Sequence, residues 1–456
     1  MVELIWDGKK EMLEMVNDKD FLKSDKKIIP DKESSKNWEN TENLYIEGDN
    51  LDALKLLYNE YQNKIKMIYI DPPYNTEKKF AYNDTFRNKR KKECRHSGWL
   101  NMMYPRLRVA KDLLTDDGVI FISIDDNEVD NLKKICDEIF GENNFEADFH
   151  IKVRHEKRIL REDIRYQLVM EHILCYKKST YVPNRLPKDK NSDDDYIYDI
   201  VIEDNPREVT KIGDYSVEIF SKESYKILKK EKGSGQFKKY QIRGSLISQK
   251  GSASEYYELN LRERRELDGE ATLYKIIGMG EKGDGLGYRY IMQPDNYNNK
   301  NGFYFQGRPL VKNDNKGLPY PNFYDFVLET NNVGYEGNVE FKNGKKPIKL
   351  ILKIFNISAI THDKESIVLD FFSGSATTAH ATMQLNAEDG GNRKCIMVQL
   401  PENCDEKSEA YKAGYKNICE IGKERIRRAG DKILEENKDK EGIENLDIGF
   451  KVFKLE

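Results

Sequence analysis

At 456 residues the chain exceeds one ordinary domain, and two or three compact units are expected. A mean hydropathy of -0.79 and the lack of any apolar run near ~18 residues exclude a membrane-spanning helix. The start, Met1-Val2-Glu3-Leu4-Ile5-Trp6-Asp7, lacks the basic-then-apolar layout of a signal peptide. The cysteines (Cys94, Cys136, Cys175, Cys395, Cys404, Cys419) form no C-x-x-C pair and no zinc spacing, which points to reduced thiols, no bound metal and a cytoplasmic location. The net charge of -4 is uneven: residues 151–330 come to roughly +4 and the remainder to roughly -8.

Residues 1–40 are polar and mixed, with Ser34-Ser35-Lys36-Asn37 expected as a loop. Leu44-Tyr45-Ile46-Glu47 predicts a short strand ending at Gly48-Asp49-Asn50, and Leu51, Leu54, Leu57, Tyr58 and Tyr61 then recur at helical spacing. Asp49 thus opens a helix, as its N-cap, as a ligand for a cofactor's polar edge, or as both. Lys66-Met67-Ile68-Tyr69-Ile70 predicts a buried strand. It runs into Asp71-Pro72-Pro73-Tyr74-Asn75-Thr76, where two prolines end the ladder and fix a rigid turn at a strand's carboxyl end. Two prolines alone imply only a turn, but the whole hexapeptide after a hydrophobic strand is far more specific. Asp71 and the Pro72 carbonyl each suit one N–H of an exocyclic amine, and Tyr74 offers a ring face for a flat heterocycle.

A loop rich in Lys, Arg and Asn follows, between Thr76 and Trp99, long enough to close over a substrate. Residues 99–114 carry helical spacing, 115–118 a turn, and Val119-Ile120-Phe121-Ile122-Ser123-Ile124 a core strand. Its end presents Asp125 and Asp126, for which helix capping by Asp126 or Asn127 over 128–140 is the stronger expectation than catalysis.

Beyond Phe149 the pattern becomes short β-like pieces broken by Gly, Asn and Asp. Residues 222–250 are rich in lysine, including Lys238, Lys239, Arg243 and Lys250; alone, such a run implies no more than a solvated helix face. Gly283-Asp284-Gly285-Leu286-Gly287 lacks the Lys-Ser/Thr of a phosphate loop and reads as a hairpin turn, followed by Tyr288-Arg289-Tyr290. Tyrosines interleaved with basic residues on hairpins suit a strand-cradling, DNA-reading module, against the plainer reading of a wet β-rich insert.

The α/β pattern resumes at Lys345-Lys346-Pro347-Ile348, which opens a helix. Residues 367–372 form a strand and Ser373-Gly374-Ser375-Ala376-Thr377-Thr378 a glycine turn, before a helix over 379–385. Such a turn cradles a ligand's carboxylate or phosphate in backbone N–H groups, with Gly374 allowing close approach. Lys394 to Leu400 is another strand, after which Gln399 or Glu402 is placed to meet a ribose. Residues 411–432 read as a charged scaffold helix.

These stretches resemble the DNA adenine amino-methyltransferases, and more narrowly the modification subunits of Type III restriction–modification systems. The resemblance is carried by Leu4-Ile5-Trp6-x-Gly8-Lys9, residues 43–57, 66–76, 99–140, 370–380 and 386–428. The catalytic turn precedes the cofactor turn, as in the permuted (β) class. It implies an α/β doubly wound, S-adenosyl-L-methionine-dependent methyltransferase sheet in two halves, 1–150 and 336–456, around an inserted β-rich target-recognition region, 151–335. It further implies Asp71, Pro72, Pro73 and Tyr74 as catalytic. Asp370, Phe372, Ser373 and Gly374 would line the methionine side, with Ser375 and Asn75 also on the cofactor side. Lys346, Thr377 and Thr378 would lie near the cofactor's carboxylate, Asp49 at its adenine and Glu402 at its ribose. Ala376 and Gln399 depart from the family pattern.

The implied reaction is methylation of N6 of an adenine flipped from double-stranded DNA, with Asp71 in place of a serine favouring adenine over cytosine N4. The rivals are a silent specificity subunit, or an RNA or cytosine-N4 methyltransferase. A homodimer and a restriction (helicase–nuclease) subunit are the implied partners. With no Walker A sequence, the chain is not expected to translocate. Glu340-Phe341-Lys342 resembles a nuclease tripeptide, but no cleavage is expected from this chain alone.

Overall fold

A computed structural model describes residues 4–76, 95–158, 165–187, 193–244, 247, 249–296, 298–310, 317–339 and 345–456. The loop expected to close over a substrate falls mostly at 77–94, and Glu340-Phe341-Lys342 falls at 340–342; both lie outside the described residues. The chain divides into one unit of Met1–Asn184 with Pro319–Glu456 and a second of Arg185–Leu318.

In chain order the first unit contributes β1 (Ile28–Lys36), β2 (Leu44–Glu47), β3 (Ile65–Ile70), β4 (Leu114–Ile124), β5 (Phe145–Lys152) and β6 (Met170–Lys177). The second contributes β7 (Tyr198–Ile202), β8 (Glu208–Ile212), β9 (Tyr215–Phe220), β10 (Tyr225–Lys229), β11 (Phe237–Gln241), β12 (Leu273–Ile277), β13 (Tyr288–Met292) and β14 (Phe303–Gly307). The first unit resumes with β15 (Phe323–Asp325), β16 (Ile367–Asp370), β17 (Lys394–Gln399) and β18 (Phe450–Leu455).

The sheet of the first unit runs β1-β18-β2-β17-β16-β3-β4-β6-β5-β15. From β2 through β17, β16 and β3 to β4 the pairing is parallel, while β6 is antiparallel to β4 and β5. Alternate side chains of β3 enter two cores. Ile68 and Ile70 pack with Leu54, Leu107 and Ile135 of the helices Asn50–Tyr61, Arg95–Leu113 and Val129–Phe140. Met67 and Tyr69 join Ile351 and Phe355 of the helix Ile348–Ile357. Burial on both faces is why these strands read as continuous apolar runs rather than as an alternating pattern.

Several local expectations are corrected. Ser34, Ser35 and Lys36 are not a loop but the end of β1, whose hydrogen bonds go to β18 at the far end of the chain. The helix after β4 is capped by neither Asp126 nor Asn127: the Asp125 carboxylate accepts from the Asn127 N–H (3.0 Å), and its carbonyl from the N–H groups of Glu128 and Val129. The helix expected over 411–432 runs Ile418–Glu436, because Gly414 sits at φ +99° and the Asn417 side chain accepts from the Glu420 N–H (3.1 Å) to start it afresh.

The unit Arg185–Leu318 is an eight-stranded antiparallel sheet, β10-β7-β11-β14-β13-β12-β9-β8. The expected insert of 151–335 is wider than this unit, since β6 and β15 hydrogen-bond into the first sheet. The unit's two chain ends are bridged, Leu186 and Leu318 exchanging backbone hydrogen bonds of 2.9 and 2.8 Å. The connection from β12 to β13 joins an antiparallel pair, as the hairpin reading expects, and holds a helical turn, Glu281–Asp284. Among the described residues no helix is long and apolar enough to cross a membrane, and the five described cysteines are free and buried.

Candidate active site

The two sequence bends lie on neighbouring strands. β3 and β16 pair in parallel, Met67 with Val368 and Ile68 with Leu369, so the turns after Ile70 and Asp370 leave the same edge of the sheet side by side. They border a cavity of about 280 Å³ at the carboxyl ends of β2, β3, β16 and β17. Of the predicted residues, Asp49, Asp71, Pro73, Lys346, Asp370, Phe372 to Ser375, Thr377, Thr378 and Glu402 line it.

At the end of β2, Asp49 is both a cap and a wall residue. Its carboxylate accepts from the Leu51 N–H at 2.8 Å and from Arg106 Nη2 at 2.9 Å. Asn50 Nδ2 donates to the Phe371 carbonyl (2.7 Å), tying this turn to the bend after β16. Arg106 and Met102, four residues apart on one helix, line the cavity and were not anticipated; their i,i+4 spacing was the available signal.

After β16 the backbone makes two left-handed steps, Gly374 at φ +51° and Ala376 at φ +60°. Thr378 Oγ1 (2.6 Å) and the Phe372 N–H (3.1 Å) donate to the Asp370 carboxylate. Burial pushes that carboxyl up to about 7 against both hydrogen bonds, and the nearby Asp71 charge adds to the rise. Gln399 Oε1 accepts from the Gly374 N–H (2.7 Å), so its side chain braces the bend, and Glu402 is the acid left in the wall. Beneath the bend the fully buried Arg425 donates to Ser375 Oγ (3.0 Å) and Thr377 Oγ1 (2.6 Å), a support with no local sequence signal.

The turn after β3 carries a charge cluster. Lys346 Nζ lies 2.5 Å from Glu171, 2.6 Å from the Tyr74 hydroxyl and 3.4 Å from Asp71 Oδ1. The Tyr74 hydroxyl donates to Asp71 at 2.9 Å and reaches Glu171 at 3.2 Å. Burial works to lower the Lys346 ammonium, but the two carboxylates outweigh it and hold it above its ordinary value. Burial lifts Asp71 above the usual carboxylate range despite Lys346, while at Glu171 the contacts with Lys346 outweigh burial and depress it. Glu171, at the start of β6, was missed by sequence reasoning. Pro72 is buried and Asn75 fully so; neither these two nor the half-buried Tyr74, which packs on the core, lines the cavity. Asn75, expected on the cofactor side, instead donates from Nδ2 to Glu128 and to the Arg95 carbonyl.

In the second unit the expected DNA contacts separate. Arg289 and Tyr290 are 7% and 5% exposed, and Arg289 Nη1 donates to the buried Asp284 carboxylate at 2.6 Å, so both belong to the interior. Tyr288 is half-buried under Lys275, Lys238 pairs with Asp195 (2.6 Å), and Lys239 sits 3.9 Å above the Phe303 ring. Arg243 and Lys250 are exposed.

Asp148, His150 and His172 bring potential metal ligands within 4.8 Å of one another. Both nitrogens of His172 face carboxylates, Nδ1 at 3.0 Å from Asp148 and Nε2 at 3.3 Å from Asp126, and the Asp148 hydrogen bond holds the imidazole above its ordinary value despite part burial. The arrangement is that of a bridging imidazolium.

Compared with known proteins, residues 65–429 match the family profile described as DNA methylase. This chain belongs to the DNA methylase family. It is 33% identical to the Mod subunit of the Type III restriction–modification enzyme StyLTI of Salmonella typhimurium, over 94% of this chain and 63% of that protein. It is 31% identical to the EcoP15I Mod subunit of Escherichia coli, over 91% and 65%. With the Type II methyltransferase M.KpnI of Klebsiella pneumoniae the identity is 28%, over 85% of this chain and 87% of the other. This DNA methylase thus spans a little under two thirds of the length of those Type III relatives.

Proposed function

We propose that this chain transfers a methyl group from S-adenosyl-L-methionine to N6 of adenine in double-stranded DNA, as the modification component of a restriction–modification system. One observation carries the reading: the turn that begins at Asp71 and the Ser373-Gly374-Ser375 bend leave adjacent parallel strands, and Asp71, Pro73 and the three bend residues line one cavity.

The residues present fit the cofactor. The helix Thr377–Asp389 starts at the cavity with no side-chain cap, which suits an anionic group at its N-terminus. Asp49 and Glu402 put acceptors in the wall for an amino group and for ribose hydroxyls, and Phe372 supplies an apolar face. Bound there, S-adenosyl-L-methionine supplies an activated methyl group on a positively charged sulfur.

Asp71 and the Pro72 carbonyl would each accept one N–H of the target amine, and the Tyr74 ring would face the flipped base. Holding the amine fixed supplies much of the acceleration, and the Asp71 charge stabilises the cation that develops on nitrogen. No strong base is required, because alkylation itself makes the nitrogen's proton acidic. The exposed Arg243 and Lys250 would meet phosphates. A cytoplasmic homodimer completes the reading, as does a restriction subunit as partner, the latter in line with the Type III relatives being named Mod subunits of restriction–modification enzymes.

The test is to incubate the purified protein with methyl-labelled cofactor and either duplex DNA or RNA, then digest to nucleosides. N6-methyladenine is expected, and N4-methylcytosine, label in RNA alone, or no transfer overturns the proposal. Asp71→Ala should be silent while still binding cofactor.

A further inference from the structure

Lys346 poses a problem that the proposed reaction alone does not solve. An ammonium 3.4 Å from the Asp71 carboxylate neutralises it, and its N–H groups compete for the same lone pairs as the target amine. Glu171 alters that balance. β6 runs antiparallel to β4, so its first residues lie at the carboxyl edge of the sheet, with His172 opposite Ile124. There Glu171 takes Lys346 at 2.5 Å, nearly an ångström closer than Asp71 does. With both carboxylates ionised, Asp71, Glu171 and Lys346 together carry one net negative charge.

We infer that Glu171 is a positioning residue for the methyl transfer proposed above: it holds the Lys346 ammonium, so that Asp71 keeps an uncompensated charge and free acceptor capacity for the amine. Tyr74 links the pair, its hydroxyl lying 2.9 Å from Asp71 and 3.2 Å from Glu171. Of the other charged groups nearby, His172 on β6 is held by Asp148 and Asp126, Arg154 adds a weaker positive field at Glu171, and Asp125 and Asp370 add negative charge beside Glu171 and Asp71 respectively, so Lys346 is the cation that Glu171 holds directly.

The test compares Glu171→Gln, Lys346→Met and the double variant at saturating cofactor. In Glu171→Gln, kcat should fall roughly 10- to 100-fold, less than the ~10²–10³ lost with a group that touches the transition state directly, while cofactor affinity by calorimetry stays within about twofold. The double variant should be faster than Glu171→Gln, because without the ammonium Asp71 is again uncompensated. Wild-type kcat in Glu171→Gln, a parallel loss of cofactor affinity, or a double variant no faster than the single one would each overturn the inference.

A second readout needs neither cofactor nor DNA. Lys346→Met leaves Asp71 and Glu171 facing each other, so its Tm should drop from pH 5.5 to pH 8.5 by more than the wild-type Tm does, and the double variant, in which only the buried Asp71 remains, should lose part of that excess. A wild-type pH response in Lys346→Met would show the three groups to be uncoupled. If the wild-type protein methylates no DNA, the underlying functional reading fails, whereas the pH response tests the Glu171–Lys346–Asp71 coupling independently.

Discussion

Arg106 donates to the Asp49 carboxylate at 2.9 Å while that carboxylate caps the helix Asn50–Tyr61. One side chain thereby fixes two helices and one wall of the cavity. Asp49→Ala should cost about 2–4 kcal/mol, a lost cap plus a largely buried guanidinium without its partner. Asp49→Asn, which can still cap, should cost less. Chemical denaturation of the cofactor-free protein measures both.

Gly422 is where the helix Ile418–Glu436 touches the cofactor bend. A Cβ there would lie 2.7 Å from the Tyr45 hydroxyl and 3.2 Å from the Gly374 carbonyl. Helix propensity favours alanine by about 1 kcal/mol, so a net loss isolates the steric contact. Gly422→Ala should destabilise by about 1–3 kcal/mol and weaken cofactor binding, because the displaced atoms belong to the bend. Unchanged affinity with unchanged stability would place that helix farther from Gly374.

Asp370 sets a pH dependence. Its folded carboxyl titrates near 7 against 3.8 when unfolded, so between those values the folded chain holds a proton that unfolding releases. Stability therefore falls as pH rises from about 4 to about 7 and levels off above. Asp370→Asn lacks this group, and its stability relative to wild type should rise across that window, by up to about 4 kcal/mol. Urea midpoints at pH 5 and pH 8 check the sign.

Arg289 and Arg243 should behave in opposite ways. Arg289→Ala strands the buried Asp284 carboxylate and should cost about 3–5 kcal/mol, seen as early melting of the Arg185–Leu318 unit. Arg243→Ala, at an exposed site, should leave the Tm alone and reduce the salt dependence of DNA affinity by about one unit of slope. Binding titrations at several salt concentrations separate the two.

What was legible in the sequence was local. A run of apolar residues into Pro72-Pro73 or into Gly374 fixes where a strand stops and a turn begins, so both bends and Asp49 could be placed before any fold was known. Partnerships across the chain were not legible. Lys346 meets Tyr74 at a separation of 272 residues and Glu171 at 175, and nothing near Glu171 marks it. Tyr288-Arg289-Tyr290 misled for a different reason. Alternation implies one wet face, but this sheet packs a core on each side, Ile291 in one and Tyr290 in the other, so a basic residue between tyrosines is interior. β1 was missed because a polar edge strand has no apolar signature, only a partner at the opposite terminus.

The backbone bridge between Leu186 and Leu318 means that the second sheet begins and ends at one doorway. Whatever lies beyond that doorway can change in length with both junctions already neighbours and no strand of the first sheet re-threaded. Such changes leave the pairing of β3 with β16 untouched.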